Sequence, residues 1–460
     1  MAATGLAALT ACGPAAAAHW REPLDITPHD GFTIYLSDLA VDRHGDVAAL
    51  GETYSKPDGL VAYTSIDRDP FTGEEINDSG GEDAFLCFDR NGALVVLSHR
   101  VDVGNLIRVY TRPSRRRFGP ERLLDTRPGE PWGIATSPKG EVFAYWTGTN
   151  PEGTVDGPAR IAVRPARGGG FGPVQDLSAS EAGGLRLLFD RHGNALMLWQ
   201  VDGRVEYAIR HPGGSFGPAR VLASSADAFA DYLDVAANRD GRAVAVWRAH
   251  PGKHNTMRAA FGSVAGGFGE SRRFAGRANR GPYAALDAGG EAVVAWRAAA
   301  KDTYALRAAL ATAGSTRFGR ARELARGYVA PIRPVADDRG TATVAWIDAD
   351  GLRAARHRPG RGFTSELVAE GPLRGAGIGA TANGRTVIAS STYKKHVEAA
   401  VARPGHSFGR SQDIGGVKRG ESLYGPVIST GGDGGAFVWW GGARSSARET
   451  RWFAGSYLDP

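Results

Sequence analysis

A phrase that returns every 44 to 53 residues constrains this chain more than any other feature. Its centre is a four-residue turn ending in Gly, with Trp six residues after that Gly. Complete copies are Ser137 to Trp146, Asp190 to Trp199, Asn238 to Trp247, Asp287 to Trp296, Asp337 to Trp346 and Gly431 to Trp440. Copies without the Trp begin at Asp42, Asp89 and Thr381, which makes nine. A second phrase, Phe-Gly followed by polar residues and often Leu, lies between them, as at Phe118-Gly119, Phe268-Gly269 and Phe408-Gly409. A fixed period of this kind means that each unit buries its apolar surface on the next.

One unit reads as four short strands. In residues 283–325 these are Tyr283 to Asp287, Glu291 to Trp296, Tyr304 to Leu310 and Arg317 to Leu324. Short strands at this spacing, joined by Gly and Pro turns, signal an all-β repeat. The Gly content, 64 of 460 residues, argues against a mainly helical chain. The second strand (Ala292-Val293-Val294-Ala295-Trp296) is apolar on both faces, whereas a sheet with one wet face would alternate. Burial on both faces is expected when four-stranded sheets stack radially.

The fold class is therefore all-β, a β-propeller of four-stranded blades, eight or nine in number. The texture resembles secreted actinobacterial β-propeller repeat proteins, loosely grouped with sialidase-like propellers. It lacks the true Asp-box of that group, because the Asp and aromatic offsets from Gly are three and six. The resemblance covers roughly residues 20–458 and speaks to architecture far more than to activity. Trp20 to Leu24 reads as an outer strand without inner strands, and the last copy, Tyr424 to Tyr457, lacks an outer strand. Pairing the two ends closes the ring and removes both edges. Residues 19–460 form one propeller in this reading, with two smaller propellers as the alternative.

Residues 1–18 read as an export segment. A short uncharged apolar run leads into Leu9-Thr10-Ala11-Cys12-Gly13, which resembles a bacterial lipobox with Cys12 as the lipidated residue. Cleavage after Ala18 and a plain Ala-rich tail are the competing readings. The expected location is the outer face of the cell membrane or the extracellular space. The other cysteine, Cys87, reads as a small buried apolar residue. The net charge is +6, and 48 of the 55 basic residues are Arg. This charge is spread along the chain rather than gathered on one element, so a nucleic-acid partner is not expected. The densest run, Arg112, Arg115, Arg116 and Arg117, reads as a solvated turn.

Binding residues are expected on the face that carries the longer, variable connections. The ligand-binding candidates there are Trp132, Tyr232, Tyr283, Arg280, Tyr328, Arg333 and Tyr424. Asp231, His250, Lys253, His254, Lys394, His396 and Arg419 lie in the same connections. Aromatic rings beside Arg and Lys suit a sugar or an acidic polymer. The Asp of the turns reads as a backbone cap, and no metal site is expected apart from possible calcium in the acidic segment Asp67 to Asp83, otherwise a flexible surface loop. No G-x-S-x-G, H-E-x-x-H, C-x-x-C or Walker loop is present. The reading is a monomeric, non-catalytic, exported propeller whose partner is a glycan or an envelope or extracellular protein, with the membrane reached only through an N-terminal lipid anchor. A sialidase-like glycoside hydrolase or other hydrolytic propeller is the alternative, and a structural envelope component a third reading.

Overall fold

The computed structural model describes residues 18–27, 34–53, 59–77, 83–100, 104–149, 157–224, 231–250, 255–276, 278–300, 303–337, 339–358, 360–444 and 450–460. Among these residues there is no helix, and the strands form nine antiparallel blades in chain order, seven of four strands and two, blades 5 and 7, with one edge strand broken into two pieces. Blade 1 is Ile34–Val41, Val47–Thr53, Gly59–Ser65 and Thr72–Asn77. Blade 6, the unit parsed above, is Ala278–Leu286, Ala292–Ala300, Thr303–Ala311 and Arg322–Gly327. Blades 2 and 3 share one 15-residue strand, Arg122–Thr136, which is the outer strand of one and the inner strand of the next.

The ring closes as the sequence indicates. Blade 9 is Glu421–Thr430, Ala436–Arg444 and Thr450–Leu458, completed by Leu24–Asp25 from the other end of the chain. Leu24 pairs with Gly455, Asp25 with Ala454, and Trp20 bridges to Leu458. Across the seam, Ile34, Val47 and Tyr63 of blade 1 pack with Phe437 and Tyr457 of blade 9. Tyr457 Oη also donates to Ser65 Oγ at 2.8 Å.

Alternate residues of each second strand enter different cores. Val244 and Val246 of blade 5 pack toward blade 6, whereas Ala245 and Trp247 pack toward blade 4. All six repeat tryptophans are at most 1% exposed. Burying a side chain of this size is worth several kcal/mol by area, about 3–5 on truncation to Ala. Cys87 lies in the apolar cluster of blades 2 and 3, and burial pushes its thiol up to about 12.

The turns do what their first residue predicts. Asp190 Oδ1 accepts the N–H of His192 and of Asn194, each at 2.9 Å, and Gly193 supplies the positive φ of 88°.

Two readings of the sequence are corrected. The acidic segment Asp67 to Asp83 is not a loop throughout: Thr72–Asn77 is the outer strand of blade 1. One inserted residue, in Phe71-Thr72-Gly73, hides its Phe-Gly phrase. Arg112 is not part of a solvated turn. It ends the third strand of blade 2, is buried, and donates to Thr64 Oγ1 of blade 1 at 3.1 Å. Arg164 and Arg210 stand at the equivalent ends of the next two blades and pair with Asp89 at 2.6 Å and Glu141 at 2.7 Å. In these three blades an Arg there ties the blade to its predecessor.

A candidate binding face

Antiparallel strands put the first and third hairpins of every blade at one end of the wheel. The connections from second to third strand, and from one blade to the next, lie at the other. That second end, the loop-rich face, carries a series of Tyr–Arg stacks. Arg248 lies 4.4 Å from the ring centre of Tyr232 in blade 5, and Arg297 lies 4.4 Å from that of Tyr304 in blade 6. In blade 8 Arg374 is 5.0 Å from Tyr393. Arg451 of blade 9 reaches both Tyr35 at 4.1 Å and Tyr424 at 5.7 Å.

These pairs are not copies of one repeat position. In blade 5 a first-strand Tyr meets a second-strand Arg. In blade 6 the Arg is on the second strand and the Tyr on the third. In blade 8 the Arg is on the first strand and the Tyr in a connection, and in blade 9 a first-strand Tyr meets a third-strand Arg. The same chemistry is reached from four different placements.

Nearer the axis, the residue four before each turn marks one level of the inner strands. It is Asp38 in blade 1, Arg186 in blade 4, Asp234 in blade 5, Tyr283 in blade 6 and Arg333 in blade 7. Arg333 extends past blade 6, 5.8 Å from the Tyr283 ring, to an ion pair with Asp234. Asp234 Oδ2 also accepts the N–H of Ala284 at 2.9 Å, so one carboxylate ties three blades together. Asp38 repeats part of this device, accepting Leu86 N–H of blade 2 at 2.9 Å and its own neighbour Leu39 N–H at 2.9 Å. Burial raises both carboxyls above the usual range, while the backbone bonds, and Arg333 at Asp234, pull against it.

At the rim between blades 8 and 9 a groove of about 740 Å³ opens. Its floor includes Trp440 and Trp452. On one wall His396 Nδ1 meets Asp413 Oδ2 at 2.8 Å. On the other, buried Glu421 accepts Arg444 Nη2 at 3.0 Å and Lys418 N–H at 2.9 Å. Gly415 lies against the indole: a Cβ there would stand 2.5 Å from Trp440 Cζ2.

Of the sequence candidates, Tyr283 and Arg333 are brought together, and Tyr232 and Tyr424 each join an Arg that the sequence reading missed. Tyr328 is the most open large hydrophobic side chain among the described residues, 81% exposed. Arg280, Lys394 and Arg419 are exposed, and His396 lines the groove. Trp132 is half-buried, packed at the interface of blades 3 and 4 with its Nε1 donating to Thr147 Oγ1 at 3.2 Å. His250 is half-buried, and Asp231 pairs with Arg248 in the sheet. Lys253, His254 and Cys12 lie outside the described residues. Of the acidic segment, residues 78–82 also lie outside them, and Asp67 and Glu74 engage Arg115 at 2.9 Å and Phe118 N–H at 2.8 Å. Among the described residues no group of three His, Cys, Asp or Glu is placed to hold a metal ion. The missed residues had a faint signal: Arg248 and Arg297 directly follow the repeat Trp.

No protein family matches the chain, and no curated protein matches its sequence. Among solved structures it is similar to a eukaryotic initiation factor, with 13% identity, 89% of this chain and 90% of that one covered, and a TM-score of 0.52. It is similar also to the BP39L lectin from Burkholderia pseudomallei, with 10% identity, coverage of 83% and 99%, and a TM-score of 0.44. A third is an ulvan lyase, a polysaccharide lyase, with 12% identity, coverage of 77% and 95%, and a TM-score of 0.39. At these identities the likeness is one of fold alone, and the chain is an all-β wheel of the propeller type.

Proposed function

We propose that this protein is an exported, non-catalytic propeller that binds an anionic glycan on its loop-rich face. The observation that carries this reading is the set of Tyr–Arg stacks on that one face, in which no two blades pair the same two strand positions. A pair inherited from the repeat would recur at one position. A tyrosine face takes the apolar side of a sugar ring, and a guanidinium beside it takes a carboxylate or sulfate. The inner-strand carboxylates favour binding over hydrolysis, because Asp38 and Asp234 are occupied in holding blades together. The lipobox-like segment around Cys12 supports a lipid anchor and, with it, the outer face of the membrane, where the protein acts as a monomer.

Glycan-array binding of the purified protein tests the reading. Acidic saccharides should be retained by the wild type and lost from the Tyr328→Ala and Arg451→Ala variants. Retention by both variants would end this assignment of the face. Release of shortened saccharides would put the hydrolytic alternative in its place. For the anchor, fatty-acid labelling should tag the wild type and not Cys12→Ala.

A further inference from the structure

The opposite face of the wheel carries a different chemistry. Most of its first hairpins lie directly against the next one round the wheel. Arg90 lies under the Gly140 turn, Lys139 beside Gly193, Asp190 beside Gly241, Arg242 beside Gly290, Arg339 beside Gly384, and Arg43 beside Gly432. Arg191 N–H donates to Arg239 O at 2.8 Å between neighbouring turns. The two central positions of the turn are therefore presented outward, in a ring. In six blades one of them is an exposed cation: Arg43, Arg90, Lys139, Arg191, Arg239 and Arg339. The outer hairpins add others, among them Arg116, Arg167 and Arg361. Among the described residues four exposed carboxylates share these turns, Asp67, Asp69, Asp240 and Glu270, the last 3.6 Å from Arg272. Asp67 is paired with Arg115 and Asp240 with Arg191, each at 2.9 Å. Between the turns of blades 1, 2 and 3 the face is hollowed by a recess of about 630 Å³, whose lining includes Arg43, Arg90 and Lys139.

The first described residues enter at this face. His19 and Arg21 both pair with Asp459, and Trp20 bridges to Leu458 just above the last turn. Five residues lie between Cys12 and Ala18, a reach of at most about 22 Å when extended.

We propose that the turn face docks on an anionic lipid surface, with the recess ringed by Arg43, Arg90 and Lys139 taking a lipid phosphate. Cations on six of the nine first turns, on the face where the chain enters, match a negatively charged surface, and each such residue adds to membrane attraction within a Debye length. The docking orients the wheel so that the loop-rich face points away from the membrane. The charge of this face is independent of the glycan reading; only its alignment with the N-terminal tether uses the anchor proposed above.

The test uses the full chain carrying Cys12→Ala, so that no acyl chain contributes. Sedimentation with phosphatidylcholine vesicles containing phosphatidylglycerol should retain the protein, and phosphatidylcholine alone should not. Raised salt should release it. Reversing Arg90, Lys139, Arg191 and Arg239 to Glu should weaken vesicle affinity by at least about tenfold. The same four changed to Gln should weaken it less, and Arg374→Glu with Arg419→Glu on the opposite face should leave it unchanged. Circular dichroism confirms that each variant is folded. Equal binding to neutral vesicles, indifference to the four reversals, or retention of soluble polyphosphate or DNA in place of vesicles would each overturn the proposal. Because no glycan enters the assay, its failure leaves the loop-rich face assignment untouched.

Discussion

At the turn face, Asp42, Asp190 and Asp337 make the same two bonds, to the amides two and four residues on. At the loop-rich face, four blades reach a Tyr–Arg stack by four different routes. The first pattern is what the fold demands of every blade. The second is demanded by no blade, so its recurrence points to something outside the fold. In a repeat protein, irregular sameness is a better guide to a site than regular sameness.

That contrast can be sharpened by breaking the part both faces share. Trp247→Ala should cost about 3–5 kcal/mol in unfolding free energy, since the indole is fully buried between blades 4 and 5. Trp247 pairs near the loop-rich end of its strand, so hydrogen exchange should quicken there first, with the amides of the Asn238 turn still protected. Uniform quickening would mean that the two faces do not respond separately.

A smaller effect is expected at Asp234. Arg333→Ala leaves its buried carboxylate without the guanidinium, at a cost of about 1–2 kcal/mol near neutral pH, because Arg333 is itself more than half exposed. The Asp234 carboxyl is already raised by burial, and losing Arg333 raises it further. Its folded-state affinity for a proton then exceeds that of the unfolded chain. Stability lost at neutral pH should thus return as pH falls through the folded value. Thermal denaturation at several pH values checks this, and a deficit that is constant with pH would show that Arg333 acts through packing.

The smallest effect belongs to the open surface. Tyr328→Ala should change stability by less than about 0.5 kcal/mol, which denaturant titration can measure, while abolishing ligand retention if the face is used as proposed. A large destabilisation would make Tyr328 part of the scaffold and weaken the contrast.

Most of the wheel was legible because its determinants are local and repeated. The turn Gly, the apolar second strand and the Trp six residues later each fix one step, and nine copies average out the noise. The outer strand of blade 1 was misread because it is polar, Thr72-Gly73-Glu74-Glu75-Ile76-Asn77, and a single insertion broke its phrase. The site was legible in residue type and not in partnership. Tyr283 and Arg333 were visible as candidates, but Asp234 lies 99 residues before Arg333, and no local spacing joins them. The basic ring was invisible for the same reason. Residues about one period apart look dispersed along a line, and rotation about an axis collects them.

The ring is latched by a strand of two residues, Leu24–Asp25, flanked by Arg21 N–H on Tyr457 O at 3.0 Å and Ile26 N–H on Phe453 O at 2.8 Å. Any tension applied through the N-terminal segment falls on this latch before it reaches another blade. Drawn away from the turn face along the strand, these bonds carry the force together in shear instead of parting one at a time like a zip. If the proposed anchor holds the wheel by that segment, one of its shortest strands bears the load.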